Sequence, residues 1–145
     1  MDPFSCLAIA GTLVQFLDFG GKLIAEFIAL SKDGKSTIRD RAEESSNDLN
    51  NFSIKLEQAL CASGESSTLT TDELALKTLC GNCQKLAGSL TEKMKVIQVT
   101  GKGKSLNNFR SALATIWSKR EIEGMQEQLN EYRQAIDTRI LAVIR

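Results

Sequence analysis

Apolar residues recur along this chain at steps of three and four, and nowhere over a useful length at steps of two. Steps of three or four return to one face of an α-helix, whereas steps of two return to one face of a strand, so the pattern selects helices. Ile38, Ala42, Ser45, Leu49, Phe52, Leu56 and Ala59 alternate steps of four and three, which is a heptad seam. Leu76, Leu79, Cys83, Leu86, Leu90, Met94 and Ile97 make a second seam, and Ile122, Met125, Leu129, Tyr132, Ile136, Ile140 and Val143 a third. Seams of this kind need facing partners. The predicted fold is all-α, an up-and-down bundle of four long helices plus one short helix, in a single domain over residues 1–145. Leu49, Phe52, Leu56, Leu79, Leu86, Leu90, Leu113, Trp117, Leu129, Tyr132 and Ile136 are its expected interior.

Local chemistry sets the element ends. Asp2-Pro3 supplies an N-cap acceptor followed by proline at the first helical position, and the helix it opens should break at Ser31-Lys32-Asp33-Gly34. A second helix is expected from Thr37 to Leu60, then a Ser/Gly/Thr-rich loop from Ala62 to Thr70. Thr70 with Glu73, and Ser118 with Glu121, have the spacing of a capping box and should open the third and last helices. Between them lie a turn at Gly101-Lys102-Gly103-Lys104 and a short helix carrying Leu106, Phe109, Leu113, Ile116 and Trp117. The last helix meets no stop before Arg145, so the chain is expected to be part of something longer.

The first helix carries no charge from Pro3 to Leu17; Asp18, Lys22 and Glu26 then follow four apart, as one polar stripe with two i,i+4 pairs. The charge-free run spans roughly 22 Å at ~1.5 Å per residue, short of the ~30 Å hydrocarbon core of a bilayer. Two readings follow. Such a helix is buried on all sides in the bundle, or it is buried at rest and released into a bilayer, where Ser5, Ala8, Ala10, Gly11 and Thr12 would let copies pack closely.

Other features narrow the function. The chain has no histidine, which removes the usual general base and the commonest zinc ligand. Cys80-Gly81-Asn82-Cys83 is a CxxC, but it falls mid-helix rather than at a helix start after a strand, where a redox pair has its thiol pKa lowered. Packing is the reading of both thiols. Gly101-Lys102-Gly103-Lys104-Ser105 lacks the first glycine of a phosphate loop. Neither an enzyme nor a small-molecule substrate is indicated, and no cofactor or metal is expected. Lysine plus arginine equals aspartate plus glutamate, 18 each, so no basic excess points to nucleic acid. Charge is nonetheless segregated. Every charged residue from Lys93 to Arg120 is basic, while from Ala42 to Glu73 the acids Glu43, Glu44, Asp48, Glu57, Glu65, Asp72 and Glu73 are offset in sequence only by Lys55. Lys102, Lys104 and Arg110, in or beside the turn, are the candidate contacts to anionic lipid, against the plainer reading of a solvated face. The acidic start Met1-Asp2 lacks the basic region of a secretory signal, so a reducing cytosol with free thiols is expected.

Several segments resemble the HeLo-like N-terminal domains of fungal NOD-like receptors of the STAND class. They are the opening Met-Asp-Pro, the run from Val14 to Ile24 (VQFLDFGGKLI), Leu79-Cys80-Gly81-Asn82-Cys83, the stretches Phe109–Leu113 and Ile116–Lys119, and the helix from Ile122 to Ile144 with Leu129 and Arg133. The resemblance covers nearly the whole chain, and it lies in the order and spacing of motifs that are each weak alone. It implies a cell-death effector bundle, normally ahead of a NACHT or NB-ARC module, in the setting of heterokaryon incompatibility and fungal immunity. Such a domain oligomerises and permeabilises the plasma membrane through its N-terminal helix, moving there from the cytoplasm. Carried onto this chain, Phe4, Leu7, Ile9, Leu13, Val14, Phe16 and Leu17 become the membrane-inserting residues and Asp18 a pore-lining acid. The implied partners are further copies of itself, anionic membrane lipids and other HeLo-like bundles. The competing function is a soluble signalling adaptor that oligomerises and recruits a partner helical domain without inserting.

Overall fold

A computed structural model describes residues 3–33, 41–62, 71–101 and 117–144, with side chains over 7–29, 41–61, 71–98 and 117–141. Four helices account for nearly all of these residues: α1 (Pro3–Asp33), α2 (Ala42–Ala62), α3 (Thr71–Gly101) and α4 (Lys119–Ile144). Among the described residues there is no strand. The expected short helix, with Leu106, Phe109, Leu113 and Ile116, lies outside them, as do Ile38 and Thr70.

The seams are where the periodicity puts them. All seven apolar positions of the α3 seam are buried, and so are Ala42, Ser45, Leu49 and Leu56 on α2 and Ile122, Leu129 and Ile136 on α4. Phe52, Ala59, Met125, Tyr132 and Ile140 are half-buried against the same core. Of the expected interior, each residue whose side chain is described is buried or half-buried.

Pairs of touching residues fix the directions. Asp18 meets Arg133 while Phe27 meets Trp117, so α4 runs against α1. Phe16 meets Phe52 while Glu26 meets Arg41, so α2 also runs against α1. Asp72 bonds Arg139 while Lys93 bonds Glu121, so α3 and α4 oppose each other. Neighbours thus alternate in direction, as in an up-and-down arrangement. The most extensive interfaces are α2 with α3 and α1 with α4.

Element ends follow local chemistry closely at α4. Ser118 Oγ accepts a hydrogen bond from Glu121 N–H at 3.2 Å, and the Ser118 hydroxyl lies 3.3 Å from Oε1 of the Glu121 carboxylate. The two residues pair at the helix start as the capping-box spacing predicts, with Ser118 as the N-cap. Trp117 and Ile122, at the flanking staple positions, are both buried. Four boundaries shift. α1 continues through Ser31 and Lys32 to Asp33, because neither is a helix breaker; α2 begins at Ala42, with Arg41 in a turn, rather than at Thr37, and keeps Ala62, the first residue of the expected loop; α3 takes in Gly101, the first residue of the expected turn.

Candidate functional site

The sequence points to α1, and its environment decides what α1 can do. Ile9, Ala10, Leu13, Phe16, Leu17, Leu23, Ile24 and Phe27 are buried, with Leu13, Phe16, Ile24 and Phe27 fully so. Phe16 and Phe19 close on Phe52 of α2 at ring-centroid distances of 5.9 and 5.4 Å. Phe27 meets the buried Trp117 edge-on at 4.3 Å. These rings fasten both halves of α1 to its neighbours.

Burial on all sides is not what the helix has. Ala8, Gly11, Gln15, Asp18, Lys22 and Ala25 are exposed, and they step by three and four along one face. Leu7 is 42% exposed. The charge-free stretch tolerates a wet face because its residues there are small or uncharged-polar: Ala8, Gly11 and Gln15. Absence of charge is not presence of bulk. Of the seven residues carried over as membrane-inserting, Ile9, Leu13, Phe16 and Leu17 are core, Val14 is half-buried, Leu7 is largely exposed, and the side chain of Phe4 lies outside the described residues.

The polar stripe is also wired differently from its i,i+4 spacing. Asp18 accepts a charge-assisted hydrogen bond from Nη1 of Arg133 on α4. Glu26 pairs at 3.6 Å with Arg41, the residue before α2. Among the described residues neither acid pairs with Lys22. Two of the three charges of the stripe therefore tie α1 to other elements. Asp18 in turn holds the Arg133 guanidinium more firmly protonated, and Asp137 lies 3.8 Å from its Nε. The two paired side chains sit on the wall of a shallow α1–α4 groove of about 370 Å³, lined also by Leu17, Gly21, Lys22 and Asn130. Below the groove Gly20 faces Leu129 closely.

Length adds a second property. With the helix uninterrupted to Asp33, the stretch Leu7–Ala29, 23 residues, is long and apolar enough to cross a membrane. It rises ~34 Å, against a hydrocarbon core of ~30 Å. The 22 Å reckoned from the charge-free run alone understates the helix. A core helix meets the same criterion, and 44% of the most apolar window is buried.

The CxxC lies in the middle of α3 with both thiols buried. Cys80 Sγ donates to the Leu56 carbonyl oxygen at 3.3 Å, joining α3 to α2. Burial pushes the Cys80 thiol up to about 11 and that of Cys83 to about 12, the latter also raised by Cys80. These are unreactive, packed thiols rather than the thiolate that redox chemistry uses. Among the described residues no three of His, Cys, Asp or Glu come together as a metal site. Lys102, Lys104 and Arg110 lie outside the described residues.

Sequence reasoning missed Arg133 as the partner of Asp18. Its only signal was its presence in the last of the resembling segments. Compared with protein-family models, curated proteins and solved structures, the chain matches none.

Proposed function

We propose that the chain is a HeLo-like effector bundle that self-associates and permeabilises the plasma membrane through α1. The observation that carries this reading is the double character of one segment. Leu7–Ala29 supplies much of the bundle core and is also long and apolar enough to cross a bilayer. Core contacts and lipid contacts are both apolar, so transfer between them costs little, and association of copies would supply the bias. The motif order that resembles fungal NOD-like receptor domains supports the same reading. In it Lys102, Lys104 and Arg110 meet anionic lipid, each worth about 1 kcal/mol near such a surface. The resting protein is cytoplasmic, has no enzymatic activity, and takes neither cofactor nor nucleic acid.

Dye release from phosphatidylcholine/phosphatidylserine vesicles tests it. The chain should release dye, a version lacking the residues before Thr12 should not, and changing Lys102, Lys104 and Arg110 to glutamate should weaken binding as added salt does. If the truncated chain folds, self-associates and kills cells as well as the intact one, the membrane reading fails and the adaptor reading replaces it.

A further inference from the structure

We propose that the Asp18–Arg133 pair is a clasp that holds α1 in the resting bundle, so that Asp18 acts first as a restraint rather than as a pore-lining acid. The membrane consequence of this inference rests on the function proposed above; the clasp itself does not.

Leaving the bundle would change what α1 touches. Its buried face, including Leu13, Phe16, Leu17, Ile24 and Phe27, exchanges core neighbours for lipid tails of similar polarity. Those contacts scarcely distinguish the two states. Asp18 and Glu26 do distinguish them, because each faces a cation on another element that it loses on leaving the bundle, keeping only Lys22 on its own helix. The ion pairs are thus a contribution that only the resting bundle offers α1, added to the apolar faces its departure would uncover on the other helices. The Asp18–Arg133 pair stands at the middle of the apolar window, where an unpaired charge is least tolerated. It also bridges α1 to α4, which lies 115 residues away in sequence and whose apolar contact there is the close approach of Gly20 and Leu129. The pair is partly solvated, with side chains 55% and 42% exposed, so it contributes at the scale of a surface ion pair. That scale shifts a two-state equilibrium by roughly two- to fivefold, enough to set a threshold without locking the bundle.

The test compares Asp18→Asn, Arg133→Gln and the exchanged pair Asp18→Arg/Arg133→Asp. Hydrogen exchange without vesicles reads the clasp, and dye release from phosphatidylcholine/phosphatidylserine vesicles reads its consequence. Each single variant should speed exchange of α1 amides by roughly two- to fivefold while α2–α3 amides keep their rates, and should raise dye release by a similar factor. The exchanged pair, made together with Asp137→Asn and Lys22→Gln to remove the like charges one turn on, should return both readings toward the unmodified chain. Selective acceleration of α1 exchange with no dye release from any protein would sustain the clasp and defeat the membrane reading. Unchanged α1 exchange in both single variants, acceleration that spreads evenly over all helices, or failure of the exchanged pair to restore it overturns the clasp. Lower dye release from Asp18→Asn at unchanged α1 exchange also overturns it and returns Asp18 to a pore-lining role.

Discussion

A Cβ on Gly20 would lie 3.2 Å from Cδ2 of Leu129, so the missing side chain at Gly20 sets how closely α1 and α4 approach. The next residue, Gly21, has nothing within 4 Å of the same position. Two adjacent glycines in one helix should therefore respond oppositely. Gly20→Leu forces side chain into a filled contact and should cost about 1–3 kcal/mol in urea denaturation. Gly21→Ala should stabilise by about 0.5–1 kcal/mol through helix propensity alone. Equal effects at the two sites would show that α1 and α4 do not meet at Gly20.

Cys80 and Cys83 should behave as core. Replacing both by alanine removes a buried sulfur pair and the hydrogen bond to Leu56, and should cost on the order of 1–3 kcal/mol while leaving activity intact. The pH dependence has a definite sign. Both thiols titrate higher folded than unfolded, so their contribution is present below pH ~9 and is lost as pH rises through about 11 to 12. Alkaline unfolding should thus be less steep in the double variant. At pH 8 a thiol reagent should modify the exposed Cys61 well before either buried cysteine.

How much of this was legible in the sequence depends on the range of the interaction. The α3 seam could be read residue by residue because helical periodicity is local, and Leu76 through Ile97 needed only a facing partner. The Ser118–Glu121 cap was legible for the same reason. Asp18 was misread because its i+4 neighbour Lys22 is visible in sequence whereas Arg133 is not: only the fold brings α4 beside α1. The wet face of α1 was missed because Ala8 and Gly11 are compatible with either core or surface, so freedom from charge carried no direction. Leu113 and the three cations assigned to lipid lie outside the described residues.

The cap at Ser118 gives a second titration of opposite sign. Ser118→Ala should cost about 0.5–2 kcal/mol, the usual loss for an N-cap hydroxyl. Glu121 is held below the usual carboxylate range chiefly by its hydrogen bond and charge interaction with Lys93, with Ser118 adding to this. Its contribution is therefore present above the unfolded carboxylate pKa and is lost as pH falls through the lower folded value. Lys93→Met should flatten the acid limb of the stability profile in the region below pH ~4.3. An unchanged acid limb would remove Glu121 from the link between α3 and α4.

The role of α1 in membranes is best probed where folding cannot be the cause. Glutamate at Leu13 does not meet that condition, because Leu13 is fully buried and a charge there should unfold the bundle. Gln15 meets it. The residue is exposed, lies two turns into the Leu7–Ala29 stretch, and differs from glutamate by one charge at nearly constant shape. Gln15→Glu should leave the circular dichroism and urea midpoint of the resting protein within about 0.5 kcal/mol of the unmodified chain. In a bilayer the same charge carries a penalty of up to about 3 kcal/mol per copy, and an oligomer multiplies it by the number of α1 helices inserted. Dye release should fall by at least tenfold, Gln15→Leu should match or exceed the unmodified chain, and lowering the pH toward 4 should partly restore the glutamate variant by neutralising it. Leu7→Glu, at a residue 42% exposed near the start of the stretch, should fold equally well and show a smaller loss, because a charge near the interface costs less than one at depth. If Gln15→Glu folds normally and still releases dye at the unmodified rate, the face that Gln15 shares with Asp18 does not meet lipid.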